Sequence, residues 1–234
     1  MSANHEGRMT ARVGGIAGLV FAAGVLLQNG YLLQGTPMPD ATLEEVRAFY
    51  AVSHGRIEVA VGWVAPNILC LLTFGAAVTE RLSRSPRTSL WGRVAFGAVV
   101  LLAAAFSVTT ALQGALVASV AALETSGLLQ AFWDLHSTAF AMSAIALSVV
   151  LLGLSVGTLS DSEHALVPRW VALLGLGGSA SLLVAGGLSV SSVSGGPGIV
   201  FQLGGFATWL VWLVAGAIGL LRTGAGGGVV TAPA

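Results

Sequence analysis

Residues 137–159 carry no charged side chain, and comparably apolar stretches recur five more times along the chain. A backbone crossing lipid finds no water for its amides, so it must close its hydrogen bonds internally, as a helix or a closed barrel. About 20 apolar residues in a helix cover a hydrocarbon core of about 30 Å. Six stretches meet that length, at 13–34, 57–79, 94–118, 131–158, 169–190 and 200–221. The expected fold is all-α, a polytopic transmembrane bundle of six spans over residues 13–222. A short segment (1–12) precedes it, and a low-complexity, disordered tail (223–234) follows. Composition points the same way. Charged residues make up 9% of the chain and hydrophobic ones 55%, whereas soluble domains are roughly a quarter charged.

Arg8 and Arg12 precede the first apolar run as they would in a secretion signal. The run continues past Leu27 without a small-residue cleavage site, so it reads as the first span. All ten cations are arginine. Arg8, Arg12, Arg81, Arg84, Arg87, Arg93, Arg169 and Arg222 fall on one side of the expected membrane, and Arg47 and Arg56 on the other. The positive-inside rule then predicts a plasma-membrane protein with both termini in the cytoplasm, anchored there by Trp91 and Trp170. A formal charge of zero gives no sign of nucleic-acid binding. The single cysteine, Cys70, excludes a disulfide within the chain and a cysteine metal site. No cofactor or metal is implied, the expected surroundings are membrane lipids, and nothing fixes an oligomeric state.

Local signals refine the outline. Thr42 and Glu45 form a capping-box pattern, and Leu43, Val46, Phe49 and Tyr50 recur at helical spacing. They predict a separate amphipathic helix at 41–54, stopped by Gly55. It lies on the outer membrane surface, the simpler reading, or folds over the bundle as a lid. Gly14 and Gly18, with Gly175, Gly178, Gly186 and Gly187, predict close helix contacts. Pro66 should kink the second span by removing the bond back to Gly62.

Counting about 20 residues outward from each cytoplasmic arginine reaches Gln28, Asn29 and Tyr31 in the first span, Gln113 in the third and Gln202 in the sixth. Glu58 opens the second span, and Trp133, Asp134 and His136 open the fourth. Asn67 lies deeper in the second. The inner halves hold no acid, base or carboxamide. Polar groups in lipid are costly, so a set at one depth suggests an outward-facing pocket. Its candidate acids and base are Glu58, Asp134 and His136, its candidate lining Gln28, Asn29, Tyr31, Trp63, Asn67, Gln113, Trp133, Gln202 and Trp209. Each also has a plain structural reading. Glu58 and Asp134 can be hydrated interfacial acids, Trp133 a belt tryptophan, and Asn67 a bond between helices. Asp134 and His136 stand about 200° apart around a helix and cannot share a face. That, with Gly55 between His54 and Glu58, argues against a metal site.

The stretches "ARVGGIAGLVFAAGVL" at 11–26, "LVPRWVALLGLGGSASLLVAGG" at 166–187 and the last helix "TWLVWLVAGAIGLLR" resemble the six-span bacterial membrane proteins grouped as a domain of unknown function. The resemblance implies a bacterial, actinobacterial-like inner-membrane protein. It transfers no activity and no site residue.

Two functional classes remain open. One is a membrane protein binding an apolar small molecule in the outer pocket, with acid-initiated cyclisation or isomerisation of a prenyl-type lipid as the chemistry if it is an enzyme. Small membrane-bound terpene cyclases offer the analogy. The other is an accessory subunit whose outer polar ring meets a partner. A small-solute transporter fits less well with apolar inner halves.

Overall fold

The computed structural model describes residues 3–120, 126–161, 163, 165–190 and 196–225. Among them six long helices and no strand are found, and all six helices are long and apolar enough to cross a membrane. They are α1 (Ala3–Leu27), α2 (Leu43–Leu82), α3 (Pro86–Ser119), α4 (Ser126–Ser160), α5 (Arg169–Gly187) and α6 (Gly198–Ala225). The chain is a multi-pass membrane protein by this architecture. Residues 226–234, most of the expected tail, lie outside the described residues.

Each helix packs on its neighbours in sequence, and α1 closes the ring against α6. This up-and-down order follows from short connections, which favour antiparallel neighbours. The start of α1 and the end of α6 share one end of the bundle with the α2–α3 and α4–α5 turns. A Cβ placed on Gly224 would come within 3.2 Å of the Arg8 carbonyl, and one on Gly7 within 2.7 Å of the Arg84 guanidinium. We call this the terminal end and the opposite one the distal end.

Small residues set the helix spacing. Gly14 meets Ala77, and a Cβ on Gly18 would stand 2.6 Å from Phe74 and 2.9 Å from Ala217. Gly175, Gly178 and Gly186 abut Ser155, Thr208 and Ile145, whereas Gly187 faces open space. The main core follows, with Phe21, Leu71, Leu102, Leu151, Trp209 and Trp212 among its buried members.

The structure departs from expectation in α2. The expected surface helix and second span are one helix of 40 residues, uninterrupted at Gly55, with Pro66 inside it as expected. At 1.5 Å per residue it is about 60 Å long, twice the hydrocarbon thickness. The start is as foreseen: the Thr42 hydroxyl accepts from the Glu45 amide at 3.3 Å, and the Glu45 carboxylate accepts from the Thr42 amide at 2.8 Å. Nothing ends the helix at Gly55, because an isolated helical glycine costs only about 1 kcal/mol relative to alanine. Burial outweighs that cost. Val46, Tyr50 and Ile57 are fully buried against Leu116 and Val117 of α3 and Leu129 and Trp133 of α4. The distal ends of α2, α3 and α4 thus share a second core, separate from the main one.

Candidate functional site

Trp133 occupies the middle of this second core. It is 1% exposed, and its indole nitrogen donates to the Pro39 carbonyl at 3.1 Å. That bond ties the α1–α2 connection to α4. His136, one turn further on, shares the face of Trp133 because residues three apart are neighbours on a helix. Its ring stacks on the indole at 5.4 Å and 19°. From α2, Tyr50 meets the indole edge-on, at 6.5 Å and 77°. Tyr50 is fully buried and His136 is 7% exposed. The Tyr50 hydroxyl and the His136 Nδ1 are both buried without a hydrogen-bond partner. Buried polar groups are nearly always satisfied, and leaving one bare costs about 1–3 kcal/mol. Two bare groups beside one indole therefore form one place where a hydrogen-bonding guest would gain, while Arg81 Nε, Ser155 Oγ, Thr158 Oγ1 and Trp212 Nε1 are bare elsewhere in the bundle.

The other candidate residues are distributed around the bundle. Glu58 lies on the exposed face of α2, its side chain 61% accessible, 3.7 Å from His54. Ile57 beside it takes the buried position, as a step of about 100° per residue requires. Among the described residues no group of three acids, histidines or cysteines forms. Asp134 is half-buried and accepts from the Gln130 carboxamide at 2.7 Å.

Gln28 joins α1 to α2. Its carboxamide accepts from buried Asn67 at 3.4 Å and donates to the Ala60 carbonyl at 3.5 Å. Asn67 thus bonds a side chain on α1, and Gly24 leaves the room: a Cβ there would meet the Asn67 carboxamide and stand 2.8 Å from the Trp63 indole nitrogen. The backbone around Gln28 makes this reach through a π-helical turn, Gln28–Leu32, closed by the Leu33 amide on the Gln28 carbonyl at 2.8 Å. Asn29 turns back to the Val25 carbonyl at 2.9 Å, and Tyr31 is 62% exposed. Gln202 of α6 donates to the Phe140 carbonyl of α4 at 3.4 Å. Gln113 is buried on α3, and Trp209 sits in the main core against Phe21 and Phe206.

The polar residues of the distal half therefore act mostly in pairs between or along helices. Of the residues singled out from sequence, Trp133 and His136 meet in one cluster, Gln28, Asn67 and Trp63 in another. By sequence Tyr50 is one of an apolar stripe. Its hydroxyl on a buried face was the available signal. Gln130, four residues before Asp134, was legible as an i,i+4 pair.

No family model, curated protein or solved structure matches the chain.

Proposed function

We propose that this multi-pass membrane protein binds a small, largely apolar molecule at the Tyr50–Trp133–His136 cluster. The observation that carries the reading is the pair of bare polar atoms, Tyr50 Oη and His136 Nδ1, on two rings that both contact Trp133. A ligand hydroxyl or carbonyl would satisfy them, and half-buried Phe49 and Phe132 at the edge of the same core would cover its apolar body. Among the described residues the buried members of this core include no carboxylic acid, and the reading proposed is one of binding. Acid-initiated cyclisation would need a proton donor that Glu58, on the exposed face of α2, is badly placed to supply. The eight arginines of the terminal end support a plasma-membrane protein with that end in the cytoplasm, and the cluster on the outer side. A bacterial source belongs to the same reading.

Mass spectrometry of molecules co-purifying in mild detergent tests this. A defined, non-phospholipid molecule is expected with the wild type and with Glu58→Gln, and is expected to be lost from Tyr50→Phe/His136→Phe. Both replacements remove a bare polar atom; Tyr50→Phe keeps its ring, so its stability should hold or rise, whereas His136→Phe brings in a larger ring. Recovery of bulk phospholipid alone from every sample would overturn the reading. It would favour an accessory subunit, which the pairwise bonding of Gln28 with Asn67 and of Gln202 with α4 also suits.

A further inference from the structure

The terminal end carries a different kind of site. Between α1, α2 and α6 lies a cleft of about 440 Å³ whose lining includes Arg8, Thr10, Glu80, Arg81, Arg84 and Thr223. Three arginines and one carboxylate line it, and Asp161 lies within electrostatic reach of Arg81. Arg84 reaches across to α1, where Gly7 leaves room for its guanidinium, and is bonded to Glu80 at 3.4 Å with both side chains nearly half exposed. Such an exposed pair is weak and open to exchange for a stronger anion. The Arg81 Nε is buried and has no hydrogen-bond partner.

An apolar groove of about 350 Å³ adjoins the cleft on the outer surface of α1 and α2. It shares Thr10 and Ala77 with the cleft and adds Met9, Val13, Thr73 and Ala76. Met9 and Val13 are more than half exposed, and Val13, Thr73 and Ala76 fall within the stretches expected to span the membrane. A basic recess opening into a lipid-facing groove matches a molecule with an anionic head and a hydrocarbon tail. Basic pockets between transmembrane helices bind anionic lipid headgroups by the same logic.

We propose that this cleft holds the phosphate headgroup of an anionic phospholipid, with one acyl chain lying in the adjoining groove. The headgroup oxygens accept from Arg81 and Arg84, displacing Glu80 from the latter, since guanidinium–phosphate bonds are charge-assisted and bidentate. The groove is what separates a lipid from free phosphate, because phosphate has no use for it.

Native mass spectrometry of delipidated protein tests the assignment, with phosphatidylglycerol, phosphatidylcholine of the same chains and inorganic phosphate as probes. Phosphatidylglycerol should be retained roughly tenfold or more over phosphatidylcholine. Arg81→Gln/Arg84→Gln should abolish that preference, while Arg169→Gln, at the same end but outside the cleft, should keep it. Ala76→Trp, filling the groove from its exposed side, should weaken phosphatidylglycerol retention with the arginines intact. Equal retention of the two lipids by the wild type would overturn the proposal, and so would a double variant that behaves like Arg169→Gln. Displacement of the lipid by inorganic phosphate, with no effect of Ala76→Trp, would make the cleft a free-phosphate site and also sink the lipid assignment. Should the double variant fail to fold, the wild-type comparison and Ala76→Trp decide.

Discussion

Ser148 of α4 and Ser179 of α5 each place a hydroxyl 2.9 Å from the other's carbonyl, and the two hydroxyls lie 3.1 Å apart. Both residues are buried, so this reciprocal contact joins two helices where lipid and water are absent. Hydrogen bonds between membrane helices average about 0.6 kcal/mol and reach about 1.7 kcal/mol. Ser148→Ala should cost an amount in that range, and adding Ser179→Ala should cost a similar amount again, because each hydroxyl bonds the other residue's backbone carbonyl, which the substitution leaves in place. A double-mutant cycle on detergent unfolding measures it; a second substitution that costs nothing further would show that the hydroxyls act through each other instead. At this scale the sequence is legible in kind and silent in direction. Hydroxyls in an apolar run announce bonds of this type, yet which of many serines face each other depends on helix azimuth. The same limit governs the candidate site. Counting along the spans gives each polar residue a height, and Glu58 and Ile57 differ hardly at all in height. One is exposed and the other buried because a single residue step turns the helix by about 100°.

At the level of elements, α2 combines two stretches that the sequence divides. Its cap was readable from Thr42 and Glu45, since capping is a local exchange of hydrogen bonds. Its continuity was not, because continuity depends on what Val46, Tyr50 and Ile57 bury against, and Leu116, Leu129 and Trp133 come from distant parts of the chain. Gly55 makes the difference testable. Among the described residues only Gly35 has a positive φ, at 80°, so Gly55 sits in ordinary helical backbone, and a Cβ there would meet nothing within 4 Å. Gly55→Ala should therefore stabilise the protein by about 0.5–1 kcal/mol, by restricting the unfolded chain and improving helix propensity. A rise in melting temperature in detergent is the expected result. A fall would indicate that the glycine is a hinge or a stop and that α2 is two helices after all.

The whole molecule is asymmetric along its axis. Its terminal end gathers eight arginines with the cleft and groove, and its distal end carries the second aromatic core above the main one. The number and approximate bounds of the spans were readable from hydropathy, because lipid imposes one length on every crossing. The closed ring and the second core were not, since both arise from contacts between helices. Direction across the membrane rests on the arginine count alone, and it can be measured. In a Cys70→Ser background, Asp40→Cys places a thiol on the exposed α1–α2 connection at the distal end, and Ser83→Cys places one on the exposed α2–α3 turn at the terminal end. If the arginine-rich end is cytoplasmic, an impermeant maleimide added to intact cells should label Asp40→Cys and should reach Ser83→Cys only after permeabilisation. The reverse pattern would place the Tyr50–Trp133–His136 cluster on the cytoplasmic side. A ligand for it would then come from within the cell, and the arginine cleft would face the outer leaflet.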